Sequence, residues 1–146
     1  RHMAHENTVV RDLRDRLEAG ILDAVSHCFV TGDPDNRLPN TCNIAFEYIE
    51  GEAILLLLNK LGIAASSGSA CTSLEPSHVM RAMEIPFTAA HGSVRFSLSR
   101  YTTGDEIERT IAAVPAVVEQ LRKLSPYWSG DGPVENPQAA FAPAYS

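Results

Sequence analysis

Ser93-Val94-Arg95-Phe96-Ser97-Leu98-Ser99 alternates: Val94, Phe96 and Leu98 fall on one side, and Arg95 on the other. A period of two marks a half-buried strand. Shortly after it, Thr103 stands three residues before Glu106, the capping-box spacing, and Ile107, Ile111, Val114, Val118 and Leu121 follow at helical spacing. A half-buried strand followed by a long helix is thereby predicted. Pro115 lies inside the helical pattern, where a missing N–H and a ring clash predict a kink or a break.

Upstream, Val10, Leu13, Leu17 and Ile21 recur at helical spacing among charged residues, with Gly20 as the expected stop. Residues 27–31 read as a short strand, and Gly32-Asp33-Pro34-Asp35-Asn36 as a loop of turn formers. A second strand is expected over 41–48, around Ile44 and Phe46. Residues 52–61 read as a helix with Ile54, Leu57, Leu58 and Leu61 on one face and Gly62 as its stop. Residues 63–65 look like a short buried strand leading into a loop of small residues at 66–73. Pro76 suits the first turn of another helix, running to about residue 83. Beyond Ser125 the chain is rich in Pro, Gly and Ala without a period. It reads as a tail, with Tyr127 and Trp128 as its only anchors. The order α-β-β-α-β-α-β-α, with connections too short for parallel crossovers, predicts an α+β domain: a mostly antiparallel sheet with helices on one face. The domain is expected over residues 1–125 and the tail over 126–146.

The 146 residues suffice for one domain with a core, and 45% hydrophobic with 21% charged residues is ordinary globular composition. A formal charge of −6 argues against a general nucleic-acid binder, which needs a basic face. The longest apolar stretch, 53–58, falls far short of the ~20 residues that a membrane span requires. With no secretory pattern at the start, the expected location is the cytoplasm. Three cysteines at no Cys-x-x-Cys spacing fit that compartment better than a disulfide framework or a zinc finger. The chain opens with Arg1-His2-Met3, which fits either a tag remnant or a start partway through a longer protein.

Cys71 lies in Ser66-Ser67-Gly68-Ser69-Ala70-Cys71-Thr72-Ser73, among residues too small to bury it. Two readings are open on these residues alone: a reactive thiol on a loop that can reach and withdraw, or an inert loop cysteine. Cys28 and Cys42 sit in apolar strands and read as core. The five histidines, His2, His5, His27, His78 and His91, form no metal-ligand pattern. Arg95 offers a planar fork that fits a carboxylate, but an ordinary surface arginine fits the pattern equally, and Arg100 shares that ambiguity.

The run at 66–73, followed by Leu74-Glu75-Pro76-Ser77-His78-Val79, resembles the catalytic-cysteine loop of NifS-type cysteine desulfurases, in the class-V aminotransferase family. Val94-Arg95-Phe96-Ser97-Leu98-Ser99-Arg100-Tyr101-Thr102-Thr103 is similar to that family's next signature. Gly51-Glu52-Ala53 and Ser125-Pro126-Tyr127-Trp128 also fit. The resemblance runs from about Met3 to Trp128. It implies the small C-terminal domain of a fold-type I pyridoxal-phosphate enzyme. It further implies a homodimer whose cofactor, held by an upstream lysine, serves as an electron sink for L-cysteine. Cys71 then matches the nucleophile that takes the substrate sulfur as a persulfide, leaving L-alanine. Arg95 matches the residue that binds the substrate carboxylate. The implied acceptor is an iron–sulfur cluster scaffold protein, and Cys71 would touch a metal only transiently, through that sulfur. The tail and the 53–58 segment resemble the nitrogen-fixation form of the family, which points to nitrogenase maturation.

Two departures stand out. The family usually carries two further small residues where Ser73 here joins Leu74, and a shorter loop has a shorter reach. The only lysines, Lys60 and Lys123, match no cofactor motif. The expectation is therefore a piece of a larger enzyme that binds pyridoxal phosphate poorly by itself and is inactive alone. The alternatives are a cofactor-free persulfide acceptor or docking module, with the tail as docking segment, and the small domain of another pyridoxal-phosphate enzyme.

Overall fold

A computed structural model describes residues 2–33, 35–67, 92–130 and 132–134. The chain enters through a short helix α1 (His2–His5) and a π-helical turn (Glu6–Val10), which lead directly into α2 (Arg11–Ala24). Strands β1 (Cys28–Val30) and β2 (Thr41–Phe46) follow, then α3 (Gly51–Lys60), β3 (Ser66–Ser67), β4 (Ser93–Ser97) and the long helix α4 (Gly104–Leu124). The four strands form one sheet in the order β1-β2-β4-β3, and every pairing is antiparallel.

Alternation along the strands divides the sheet into two faces. Cys42, Ile44, Phe46, Val94 and Phe96 are buried on one face, against Leu17 and Ile21 of α2, Ile54 and Leu58 of α3, and Ile107, Val114 and Val118 of α4. This single cluster is the core of the described residues. It bears out the α+β expectation of a sheet with helices packed on one face.

Gly20 departs from its expected role. Rather than ending α2, it lies in the interior of the helix, where α4 crosses closely. A Cβ there would stand 2.6 Å from Ile111 Cδ1. The glycine marks a close helix–helix approach, and α2 continues to Ala24. Gly62 does act as a stop, at φ +79°.

The capping box forms as its spacing predicts: the Thr103 hydroxyl accepts from the Glu106 N–H (3.3 Å), and the Glu106 carboxylate accepts from the Thr103 N–H (2.9 Å). Pro115 does not break α4. The helix runs unbroken across it, and the proline leaves the Ile111 carbonyl without its usual helical donor. The strand expected over 63–65 lies one step later, at Ser66–Ser67, because the pairing with β4 begins there. The helix expected from Pro76 falls outside the described residues.

The loop after β1 is fastened to α2. Arg37 donates from both terminal nitrogens to the Glu18 carboxylate (2.6 and 3.0 Å), and Arg14, itself buried, donates to the Leu38 carbonyl (3.0 Å). After α4 the chain turns back at Ser125, whose hydroxyl donates to the Tyr48 carbonyl (2.7 Å). A small hairpin follows, β5 (Trp128–Ser129) paired with β6 (Gly132–Pro133). The Trp128 ring lies over the Arg122 guanidinium, 4.5 Å from the ring centroid, and meets the rings of His27 (5.3 Å) and Tyr48 (5.8 Å). The first part of the tail is thus packed on the domain through Trp128, one of the two anchors that the sequence offered. No helix of the described residues is long and apolar enough to cross a membrane.

Candidate active site

The sheet face away from the core cluster carries the candidate chemistry. In β4, Val94 and Phe96 point into the core, so Arg95 must point the other way, and it is exposed. Its cross-strand partners are Asn43 in β2 and Ser66 in β3. Directly opposed residues share a face, so Ser66, Arg95 and Asn43 form a row across three strands. The Arg95 Nε donates to the Ser66 hydroxyl (3.1 Å). That bond uses the Nε–H and none of the N–H groups on the two terminal nitrogens, the planar fork that suits a carboxylate.

Ser66 also opens β3, and the small-residue run of the sequence continues from it. Cys71 follows it by five positions and lies outside the described residues, as do His78 and His91. The sheet therefore places the arginine candidate beside Ser66, the first residue of the small-residue segment whose sequence contains Cys71. Sequence reasoning did not single out Ser66 or Asn43 as neighbours of Arg95. The signal for Asn43 was available in Cys42-Asn43-Ile44, where a polar residue sits between two core residues of a strand. The register that sets it opposite Arg95 was not.

Arg100 is a surface residue that donates to the Tyr101 hydroxyl (2.8 Å) and lies over its ring (4.8 Å). It stands apart from the row.

Of the other two cysteines, Cys42 is buried in the core as its strand predicts, and Cys28 is half-buried against it. The Cys28 thiol donates to the Val25 carbonyl (3.2 Å), and burial pushes its pKa up. Cys42 is fully buried, and burial, with Glu18 beside it, pushes its thiol up to about 12. A thiol that far above its ordinary value of 9.0 stays protonated at neutral pH and is a poor nucleophile. Since the folded value is the higher one, protonated Cys42 favours the fold fully below pH 9, and that contribution is lost as pH rises towards 12. Alkylation of Cys42 at pH 10 should accordingly lag far behind alkylation of the urea-unfolded chain. Equal rates by mass spectrometry would contradict the burial.

Neither lysine fits a cofactor role. A Schiff-base lysine is desolvated, so that its amine is neutral when it must react. Lys60 is exposed at the end of α3, and Lys123 is exposed and paired with Glu119 (2.9 Å). The residues described here therefore do not fit pyridoxal phosphate, and no step of chemistry is assigned to it on this chain.

Residues 2–110 match the family model of the class-V aminotransferases. The chain is 78% identical over 145 residues to a cysteine desulfurase of Azotobacter chroococcum mcd 1, an alignment covering 98% of this chain and 37% of that one. It is equally 78% identical to the cysteine desulfurase NifS of Azotobacter vinelandii, covering 98% and 36%. Among solved structures, a NifS-like protein matches with a TM-score of 0.70 at 24% identity, over 82% of this chain and 30% of that one. A NifS-like protein from Rickettsia africae matches with a TM-score of 0.64 at 28% identity, over 75% and 28%. The chain thus spans about a third of the length of the curated relatives it matches.

Proposed function

Because this chain belongs to the class-V aminotransferase family, we propose that it is the C-terminal part of a cysteine desulfurase, with Cys71 as its sulfur acceptor and Arg95 as its substrate anchor. The observation that carries this reading is the 78% identity to cysteine desulfurase NifS along 98% of the chain. The loop around Cys71 adds chemical support, since a transaminase needs no nucleophilic thiol.

In the complete enzyme, the Cys71 thiolate attacks the sulfur of L-cysteine. A sulfur–sulfur bond forms and the substrate carbon–sulfur bond breaks, its electron pair staying with carbon. That carbon gains a proton and leaves as the methyl group of L-alanine, while the sulfur remains on Cys71 as a persulfide. The sulfur is oxidised and the carbon is reduced, so the step needs no outside oxidant. Pyridoxal phosphate, which the described residues of this chain do not fit, would be held elsewhere in the complete enzyme and would supply an electron sink there. Arg95 grips the substrate carboxylate and so fixes which way the thiol side chain points.

The small residues of the loop suit delivery of the persulfide to a second protein. We assign that role to an iron–sulfur cluster scaffold serving nitrogenase maturation, with the tail from residue 126 as the docking segment and any metal contact of Cys71 passing through the bound sulfur. A homodimer working in the cytoplasm completes the proposal.

The test uses the complete enzyme with L-cysteine and a reductant. Equal yields of alanine and sulfide, with one added sulfur on the peptide containing Cys71 when reductant is left out, are expected. Alanine without sulfur on that peptide would overturn the assignment. Capture of the scaffold protein by the enzyme should weaken when residues 126–146 are removed.

A further inference from the structure

Asn43 carries a polar group with no evident structural use. Its side-chain oxygen is shielded from solvent and, among the described residues, has no hydrogen-bond partner. A buried carbonyl left unpaired costs free energy, and such groups recur where a ligand or a moving side chain completes the site. Asn43 does not face the core: its neighbours Cys42 and Ile44 do. It faces the same side as Arg95, its direct partner across the β2–β4 ladder.

The ladder fixes how near they stand. The Leu98 N–H donates to the Asn40 carbonyl (2.8 Å) and the Phe46 N–H to the Gly92 carbonyl (3.0 Å). Those two pairs are of the hydrogen-bonded kind, and the kinds alternate along an antiparallel ladder. Counting inwards makes 42–96 and 44–94 hydrogen-bonded pairs and 43–95 a non-hydrogen-bonded one, the kind that brings opposed side chains closest. On the other flank, Ser66 already takes the Arg95 Nε–H.

We propose that Asn43 is a positioning residue for Arg95: when a substrate carboxylate engages the outer fork of the guanidinium, the Asn43 oxygen accepts a remaining N–H and locks the group from the side opposite Ser66. The donor count allows this. A guanidinium has five N–H groups. Ser66 takes one, a carboxylate held bidentately takes two, and Asn43 takes one of the other two. Fixed on both flanks, the fork keeps its plane, and an exposed arginine that would otherwise sample many rotamers is pre-organised for a planar anion.

This inference rests on the assignment of Arg95 to the substrate carboxylate, and the experiment separates the two. The complete enzyme is titrated calorimetrically with L-alanine, which does not turn over, and with ethylamine, the same molecule without its carboxylate. Asn43→Ala should weaken L-alanine binding about tenfold while leaving ethylamine binding within about twofold. In turnover, the KM for L-cysteine should rise by about the same factor, with kcat within about twofold. Arg95→Ala should erase the preference for L-alanine over ethylamine. If Arg95→Ala erases it and Asn43→Ala leaves it at the wild-type level, the positioning role falls and the arginine assignment stands. If Arg95→Ala leaves the preference intact, both fall. Equal weakening of both ligands by Asn43→Ala would mark a merely structural residue and overturn the proposal. Should the alanine variant fail to fold, Asn43→Thr, a strand-favouring replacement with a shorter acceptor, should show the same selective loss.

Discussion

Replacing Gly92 with alanine should cost about 3 to 5 kcal/mol of stability, the largest loss expected from any single methyl group in this fold. A Cβ at this position would lie 1.8 Å from the Phe46 carbonyl oxygen and 3.0 Å from that of Ile49. Both are backbone atoms, which cannot swing aside as a side-chain tip can. The only relief is to part the strands, and that stretches the bond from the Phe46 N–H to the Gly92 carbonyl (3.0 Å). Phe46 is fully buried, so the parting also loosens the core beneath it. Gly20→Ala is a useful contrast: the atoms nearest its Cβ would be those of the Ile111 side chain, which has other rotamers, and the cost should be smaller. Urea unfolding should show a lower midpoint for Gly92→Ala at an unchanged slope. A change below about 1 kcal/mol would mean that the strands yield more readily than this close contact implies.

In the complete enzyme, Cys71→Ala should lower sulfide formation from L-cysteine by at least about a thousandfold. The reason lies in the division of labour. The variant still has its arginine fork, its pairing to Ser66 and its sheet, so it should bind L-cysteine nearly as before. What it lacks is an atom to receive the sulfur, and neither other thiol can substitute. Cys42 is fully buried with its pKa near 12, and the half-buried Cys28 is spent on the Val25 carbonyl. Cys71→Ser keeps a hydroxyl but no soft nucleophile and should fail alike. Residual turnover within tenfold of the wild type would transfer the role to another group.

Much of the fold could be read in the residues because it follows local rules. The alternation at 93–99 gives both the strand and the outward turn of Arg95, and the Thr103–Glu106 spacing gives the start of α4. Features that depend on partners distant in sequence could not be read. Gly20 looks like a helix stop until the close crossing of α4 is known, because the same residue type serves both purposes. Pro115 weakens α4 locally, yet Val114, Val117 and Val118 are buried around it, and tertiary packing outweighs one lost hydrogen bond. The site divides in the same way. Arg95 and Cys71 stand in motifs, and Ser66 opens the Cys71 motif, but that Ser66 and Asn43 flank Arg95 follows only from strand register, which a single sequence does not fix.

Trp128 is the only tryptophan in the chain. Seated over Arg122 and edge-on to His27, it gives the molecule a built-in fluorophore whose emission reports the attachment of the tail and little else. Lifting of the hairpin by a docking partner would move the indole into water and shift its emission to the red, without any introduced label. The same signal would stay still if a partner took sulfur from the loop and left the tail in place. One spectrum can therefore tell whether a visitor has displaced the hairpin or left it in place.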